Sequence, residues 1–249
     1  MILTRTANLL YDAMLALVYP QSCAVCGGSV ESRSLGIACA QCWNVTRAFT
    51  DQDTFCWKCG SLSSGKIANE KREQVRCRRC DQDAFTAARA CGVYEGALRA
   101  SVLGLKREPN IAPLLARLLM ETQRRVPLAE ATRIIPVPLH TRREKARGFN
   151  HAAAIGHKLS ELTRLPLDEV SLIRTSHTER HRAGMDAKGR RETVAKAFVV
   201  RYPRLITGES VLLVDDVFTT GATVSSCANA LIAAGAKEVF VLTIARTRF

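Results

Sequence analysis

The chain has 249 residues, 47% of them hydrophobic, so it can bury a sizeable core and global disorder is excluded. Its formal net charge of +13 attracts phosphates without separating a phosphorylated small molecule from nucleic acid or a membrane surface. If eight of the ten cysteines bind two zinc ions as thiolates, each centre carries about −2 and the total falls to about +9, still basic.

In chain order, "MILTRTANLLYDAMLALVYP" (1–20) is partly apolar, is interrupted by Arg5 and Asp12, and leads into no small-residue cleavage site. It reads as a short amphipathic helix packed on the protein rather than a signal peptide. No run approaches the ~18 apolar residues of a membrane span, so no membrane insertion is expected and the expected compartment is the cytoplasm.

Eight cysteines follow in four C-x-x-C pairs. Cys23, Cys26, Cys39 and Cys42 are spaced C-x2-C-x12-C-x2-C, and Cys56, Cys59, Cys77 and Cys80 are spaced C-x2-C-x17-C-x2-C. A C-x-x-C turn aims two sulfurs at one ion, and two turns complete a tetrahedron, so two structural Zn²⁺ sites are expected. Pairing within each cluster is the simplest arrangement, and interleaved pairing stays open. Disulfides are the rival and suit an oxidising compartment; a thioredoxin-like redox motif would need one C-x-x-C beside a βαβ unit. The polar stretch "GSLSSGKIANEKREQ" (60–74) reads as a loop. Cys91 and Cys227 fall in apolar patterns and read as core thiols.

Composition changes after Asp83, where apolar strands begin to alternate with helical patterns, the signature of an α/β sheet. Two units are therefore expected: 1–83, an N-terminal helix with a double cysteine module, and 84–249, a mostly parallel sheet flanked by helices. "ARACGVYEG" (88–96) reads as a strand, and "ALRASVLGLKRE" and "NIAPLLARLLMETQRR" as helices, the second with a stripe of Ile111, Leu114, Leu115, Leu118 and Leu119. "RIIPVPL" (133–139) is a short strand entering a proline-rich turn, and "HAAAIGHKLSELT" is helical. "AFVV" and "SVLLVDD" are strands, and "TVSSCANALIAAG" is a helix with Val224, Cys227, Ala228, Leu231 and Ile232 on its apolar face, closed by Gly235. "KEVFVLTIAR" is the last strand.

The stretch "VLLVDDVFTTGATV" (211–224) carries the chemistry. A Val/Leu strand suits the middle of a parallel sheet, and ligands of open α/β sheets bind beyond the carboxyl ends of such strands. Asp215 and Asp216 stand there. Adjacent carboxylates repel, so they call for something hydroxylated or positive, such as a sugar diol or Mg²⁺. The following Thr219, Thr220, Gly221 and Thr223 enter a helix whose free N–H groups form an anion site. A diol grip next to a phosphate cradle implies a sugar phosphate. The glycine patterns of the common nucleotide loops are absent.

This stretch closely resembles the phosphoribosyl pyrophosphate (PRPP) signature of type I phosphoribosyltransferases. "IIPVPLHTRREKARGFNHAAAIG", the paired C-x-x-C modules and "YEGALRASVLGLK" resemble the ComF/GntX-type family within that group, over nearly the whole chain. The resemblance implies that Asp215 and Asp216 hold the ribose 2′- and 3′-hydroxyls. It implies that Val217, Phe218, Thr219, Thr220, Gly221, Ala222 and Thr223 wrap the 5′-phosphate. The turn Val137, Pro138, Leu139 and His140 is similar to the family's pyrophosphate loop. Arg143, Arg147, Gly148 and Asn150 match the family motif and are expected as a clamp on pyrophosphate or on nucleic-acid phosphates, the alternative for this basic run being a solvated helix start, with Lys106 of the "GLK" element as a further candidate phosphate contact. Arg142 and Lys145 fit the motif less well.

The segment "RTSHTERHRAGMDAKGRRETVAKAF" (174–198) lies where related proteins carry a hood over the site. It departs from the family pattern: Arg182 stands where a glutamine is usual and Thr193 where an asparagine is usual, so acceptor specificity does not transfer. His177 and His181 in this segment are candidate proton shuttles or solvated loop residues. The expected activity is that of a pentosyltransferase: displacement of pyrophosphate from ribose C1 by an unassigned acceptor, with Mg²⁺ accompanying PRPP. The competing reading is a single-stranded-DNA-binding protein, with competence or DNA-uptake proteins as partners implied by the resemblance. Trp43 and Trp57 are its candidate stacking residues, although aromatics are sparse at 6%.

Overall fold

The computed structural model describes residues 21–63, 69–139, 148–175 and 197–248. In chain order its elements are α1 (Ala40–Val45), β1 (Ala87–Val93), α2 (Gly96–Leu105), α3 (Pro113–Gln123), β2 (Arg133–Pro136), α4 (His151–Thr163), β3 (Leu172–Arg174), β4 (Phe198–Val200), β5 (Ser210–Phe218), α5 (Ala222–Ala233) and β6 (Glu238–Arg246). Short 3₁₀ turns connect several of them. The expected N-terminal helix over 1–20 lies outside the described residues.

The main sheet has strand order β1-β6-β5-β2, and every pairing is parallel. Val211, Leu212, Leu213 and Val214 of β5 are all fully buried, as a strand covered on both faces requires. Their side chains alternate. Val211 and Leu213 enter one apolar core with Val239, Val241 and the Val224, Cys227, Ala228 and Leu231 stripe of α5. Leu212 and Val214 enter a second core with Phe240, Leu242 and buried residues of α2, α3 and α4. Each such side chain stabilises the fold by about 1.5–3 kcal/mol. The α/β architecture expected from the sequence, a parallel sheet flanked by helices, is the one observed.

Three details differ from the sequence reading. Strand β5 runs on through both aspartates to Phe218, because β6 keeps pairing with it from Asp215↔Thr243 to Phe218↔Arg246. The "AFVV" strand leaves the main sheet and pairs antiparallel with β3, a strand the sequence did not suggest. On α5, Ile232 is 44% exposed although it continues the apolar stripe; Leu231 takes the buried place in that turn.

The first cysteine cluster packs with Val30, Ala38, Ala97 and Trp43. The second is continuous with the sheet: Cys56, Cys59 and Cys80 belong to the same apolar core as Val211, Leu213 and Phe218. The core thus crosses the boundary expected at Asp83. Trp43 donates from Nε1 to Leu35 O at 2.9 Å, and Trp57 lies beneath the Arg89 guanidinium, 5.1 Å from its ring centroid. Both tryptophans are packed beside cysteine clusters.

Candidate functional site

The site forms where β2 stops and β5 continues. The last link between them is Val137 N–H donating to Val214 O at 2.9 Å. Beyond it, Asp216 N–H donates to the Asp215 carboxylate at 2.9 Å, and Val217 N–H to Asp216 Oδ1 at 2.7 Å. Side chains therefore satisfy backbone donors past the end of the β2 ladder.

The alternation of β5 sends Asp216 toward the α2 and α4 side of the sheet. Lys106, the C-cap of α2, places Nζ 2.7 Å from Asp216 Oδ2. His151, the first residue of α4, places Nε2 3.5 Å from the same oxygen and is itself buried. Asp215 takes the opposite side, where its charge acts on the buried Cys227 thiol of α5. Burial pushes the Asp215 carboxyl up to about 8, and the Asp216 charge adds to that, even though part of its surface reaches the crevice. One oxygen or nitrogen each of His151, Asp215 and Asp216 lies within 4.8 Å of the others.

The loop after β5 is shaped by Gly221, which caps α5 at φ +80°, a left-handed conformation. A Cβ there would meet Phe218 Cζ at 2.8 Å. Gly221 is thus fixed by both backbone and packing. The Phe218 side chain turns inward and packs edge-on against Phe85, with centroids 5.9 Å apart. Thr219, Thr220, Ala222 and Thr223 are exposed around the opening turn of α5, with Thr220 Oγ1 accepting from Ala222 N–H at 3.4 Å. The opening N–H groups of a helix carry partial positive charge, and this turn presents them beside the acids.

Asn150 links the second wall. Its Oδ1 caps α4 by accepting from Ala152 N–H at 3.0 Å, and its Nδ2 donates to Val137 O at 3.1 Å. Of the expected site residues, the structure gathers Asp215, Asp216 and Lys106, and ties Asn150 to Val137; Pro138 and Leu139 continue that turn, half-buried. His140, Arg143 and Arg147 lie outside the described residues, as do His177, His181, Arg182 and Thr193. The strands β3 and β4 flank the described ends of that latter segment. His151 was not singled out from the sequence. Its only signal there is its place immediately after the Asn150 cap, within the resembling motif.

Each cysteine cluster closes on itself: Cys23, Cys26, Cys39 and Cys42 converge within 4.8 Å, and so do Cys56, Cys59, Cys77 and Cys80. Interleaved pairing does not occur. Sulfur separations are 3.8 Å for Cys26–Cys39, 3.6 Å for Cys56–Cys80 and 3.5 Å for both Cys59–Cys77 and Cys77–Cys80. A tetrahedron with Zn–S bonds of about 2.3 Å has edges of about 3.8 Å, whereas a disulfide needs about 2.05 Å. Backbone N–H groups of Val25 and Cys39 point at Cys23 Sγ, and that of Cys77 at Cys56 Sγ, at 3.3–3.4 Å. Hydrogen bonding from the Cys59 side chain holds Cys56 well below the usual thiol range. Both donor sets fit a zinc ion.

No protein-family model matches the chain. Among curated relatives, DNA utilization protein YhgH of Escherichia coli O157:H7 is 31% identical over 239 residues, covering 93% of this chain and 99% of that protein. Competence protein F of Haemophilus influenzae Rd is 33% identical over 138 residues, covering 55% of this chain and 60% of that protein. Among solved structures, glutamine PRPP amidotransferase from B. subtilis superposes with a TM-score of 0.37 at 19% identity, over 60% of this chain and 27% of that one. With 31% identity to the first of these relatives over 93% of this chain and 99% of that protein, the chain belongs to the family of DNA utilization protein YhgH.

Proposed function

We propose that the chain binds PRPP at the β5–α5 junction and transfers its ribose 5-phosphate to an acceptor, releasing pyrophosphate. The observation that carries this is the acid pair at the end of the β2–β5 ladder, followed at once by a glycine-capped helix start. Asp215 and Asp216 orient the ribose through its 2′- and 3′-hydroxyls, and the opening turn of α5 receives the 5′-phosphate through backbone N–H groups. The bond from C1 to the diphosphate oxygen breaks and the acceptor bonds to C1. Positive charge gathers on C1 and the ring oxygen, beside Asp215 and Asp216, while the diphosphate departs along the Val137–Pro138–Leu139 turn held by Asn150. Mg²⁺ bound with the diphosphate would offset its growing charge. Lys106 stands at the same crevice with a cation already presented to it.

Calorimetry with PRPP and Mg²⁺ tests the reading. Wild-type protein should bind, and Asp216→Ala should abolish the heat; an unchanged mutant sinks the site. Pyrophosphate release, screened over candidate acceptors, then separates turnover from binding alone.

A second reading is favoured by the names of the relatives, "DNA utilization protein" and "Competence protein". In it the same fold serves single-stranded DNA and DNA-uptake partners. Filter binding across a salt series decides: steep loss of affinity with salt supports phosphate contacts, and no binding at low salt ends the idea. In both readings residues 1–83 carry two structural zinc ions and 84–249 carry the ligand site. No helix among the described residues is long and apolar enough to cross a membrane. Eight thiols poised for metal suit a reducing cytoplasm.

A further inference from the structure

Arg89 and Arg246 are the two buried arginines among the described residues, 7% and 5% exposed. They come from the adjacent strands β1 and β6, and both face the second cysteine cluster. Arg89 Nη1 donates to Trp57 O and Ala88 O, each at 2.8 Å. Arg246 Nη1 donates to Cys59 O, and its guanidinium lies 5.1 Å from the Phe218 ring centroid. Neither forms an ion pair with a carboxylate among the described residues. A buried cation without a counter-charge costs several kcal/mol. A four-thiolate zinc centre carries about −2, which two guanidinium groups balance.

The contacts continue past Arg246. Phe218, its strand partner, accepts from Thr247 N–H through its carbonyl at 3.1 Å. The other end of the Phe218 ring is what a Cβ at Gly221 would strike. On the cluster side, Gly60 sits at φ +68°, where a Cβ would meet Ala88 O at 2.4 Å and Arg246 Nη1 at 3.6 Å. The second cluster is thus seated directly on the sheet, and one arginine touches both its backbone and the aromatic floor of the phosphate loop.

We infer that Arg246 is a positioning residue that joins the second four-cysteine metal centre to the loop 217–223, with Arg89 as its partner in balancing that centre's charge. Metal occupancy of this centre then sets the order of the loop; that the loop's ligand is a phosphate rests on the function proposed above. The first cluster, which has no buried arginine against it among the described residues, does not share this role. Outer residues around a metal centre typically change its affinity about 10–100-fold, which sets the scale of the effect.

The experiment uses the full chain and two readouts that need no PRPP: zinc release to a chromogenic chelator, and amide hydrogen exchange over residues 217–223. Wild-type protein should release two zinc ions. In Arg246→Met and Arg89→Met, one of the two should leave about tenfold faster or more, with the other unchanged. Exchange over 217–223 should rise in Arg246→Met, and in wild type once the second centre is stripped. It should stay at the wild-type level in Arg89→Met while zinc is retained. Arg246→Lys keeps the charge and loses the broad face over Phe218, so it should hold zinc and still loosen the loop. If Arg246→Met does not fold, Arg89→Met and Arg246→Lys decide on the same readouts. Zinc leaving every variant at the wild-type rate overturns the inference, as does a loop whose exchange ignores Arg246. Failure of ribose 5-phosphate to bind, with these readouts as expected, counts against the phosphate reading and leaves the metal-to-loop link standing.

Discussion

Lys106 Nζ lies 2.7 Å from Asp216 Oδ2, so the carboxylate expected to hold a sugar hydroxyl is met by an ammonium from a different helix. The pair is intermediate in burial, with Lys106 about a third exposed and Asp216 nearly enclosed. Its worth therefore lies between that of an exposed pair and a buried one, about 1–2 kcal/mol. Lys106→Met should lower stability by that amount, and Lys106→Met with Asp216→Asn should recover part of it. A double-mutant cycle by urea denaturation measures the coupling; a coupling near zero means the two charges are held together by packing alone.

Asp215 gives the ligand-free protein a pH dependence whose sign is fixed. Burial and the neighbouring Asp216 raise its folded pKa to about 8, above the unfolded value near 3.8. The folded state therefore binds this proton more tightly, and the stabilisation is complete below the unfolded pKa and lost as pH rises toward about 8. Asp215→Asn, which stays neutral, should gain in melting temperature relative to wild type progressively between pH 5 and pH 8. Parallel melting curves of the two proteins across that window would show that the carboxyl is ionised throughout.

Much of this site was legible in the sequence for a physical reason: a buried parallel strand and a glycine-capped helix start are both local patterns. Val211 to Val214 announce β5, and Gly221 in the hydroxyl-rich turn announces the start of α5. The unread parts depend on contacts distant in sequence. β3 has three residues, and its partner β4 lies beyond a long intervening segment, so neither periodicity nor a short turn marks the pair. The continuation of β5 past the acids is set by β6. His151 looks like any polar residue opening a helix until α4 is laid across the sheet and its ring reaches Asp216. Arg246 reads as the end of an apolar strand until the second cysteine cluster is docked over it.

Gly221 should not tolerate a side chain. At φ +80° an alanine costs about 1–2 kcal/mol from the backbone alone, and its Cβ would meet Phe218 Cζ at 2.8 Å. Gly221→Ala should therefore lower stability by about 2–3 kcal/mol and weaken PRPP binding at least tenfold. Adding Phe218→Leu should relieve the steric part and leave the backbone part. Thermal melts and calorimetry on the single and double variants separate the two; full tolerance of alanine would mean the loop is not held in this conformation in solution.

Cysteine substitutions should differ between the clusters. Cys26 is exposed at the edge of the first cluster, whereas Cys56 is buried in the core shared with β5. Elemental analysis should give two zinc ions per chain for wild type and one for each of Cys26→Ser and Cys56→Ser. Only Cys56→Ser should lower the main unfolding transition substantially, because its centre supports the sheet itself. Equal effects on that transition would show that the first module is as much a part of the core as the second.

Asn150 offers the cleanest separation of fold from function, because its two amide atoms do different work. Oδ1 caps α4 and Nδ2 holds Val137 O. Asn150→Ala loses both and should cost about 1–2 kcal/mol, the usual range for an N-cap with a further hydrogen bond. Asn150→Asp keeps a good cap and a favourable charge at the helix start, so stability should stay within about 0.5 kcal/mol of wild type. It nevertheless replaces the donor facing Val137 O with an acceptor, which pushes the turn away, and brings negative charge to the wall along which pyrophosphate is proposed to leave. Affinity for PRPP should fall about tenfold or more, while ribose 5-phosphate, which lacks the diphosphate, loses little. A variant that binds both ligands as wild type does would show that the Val137 turn takes no part in holding the diphosphate.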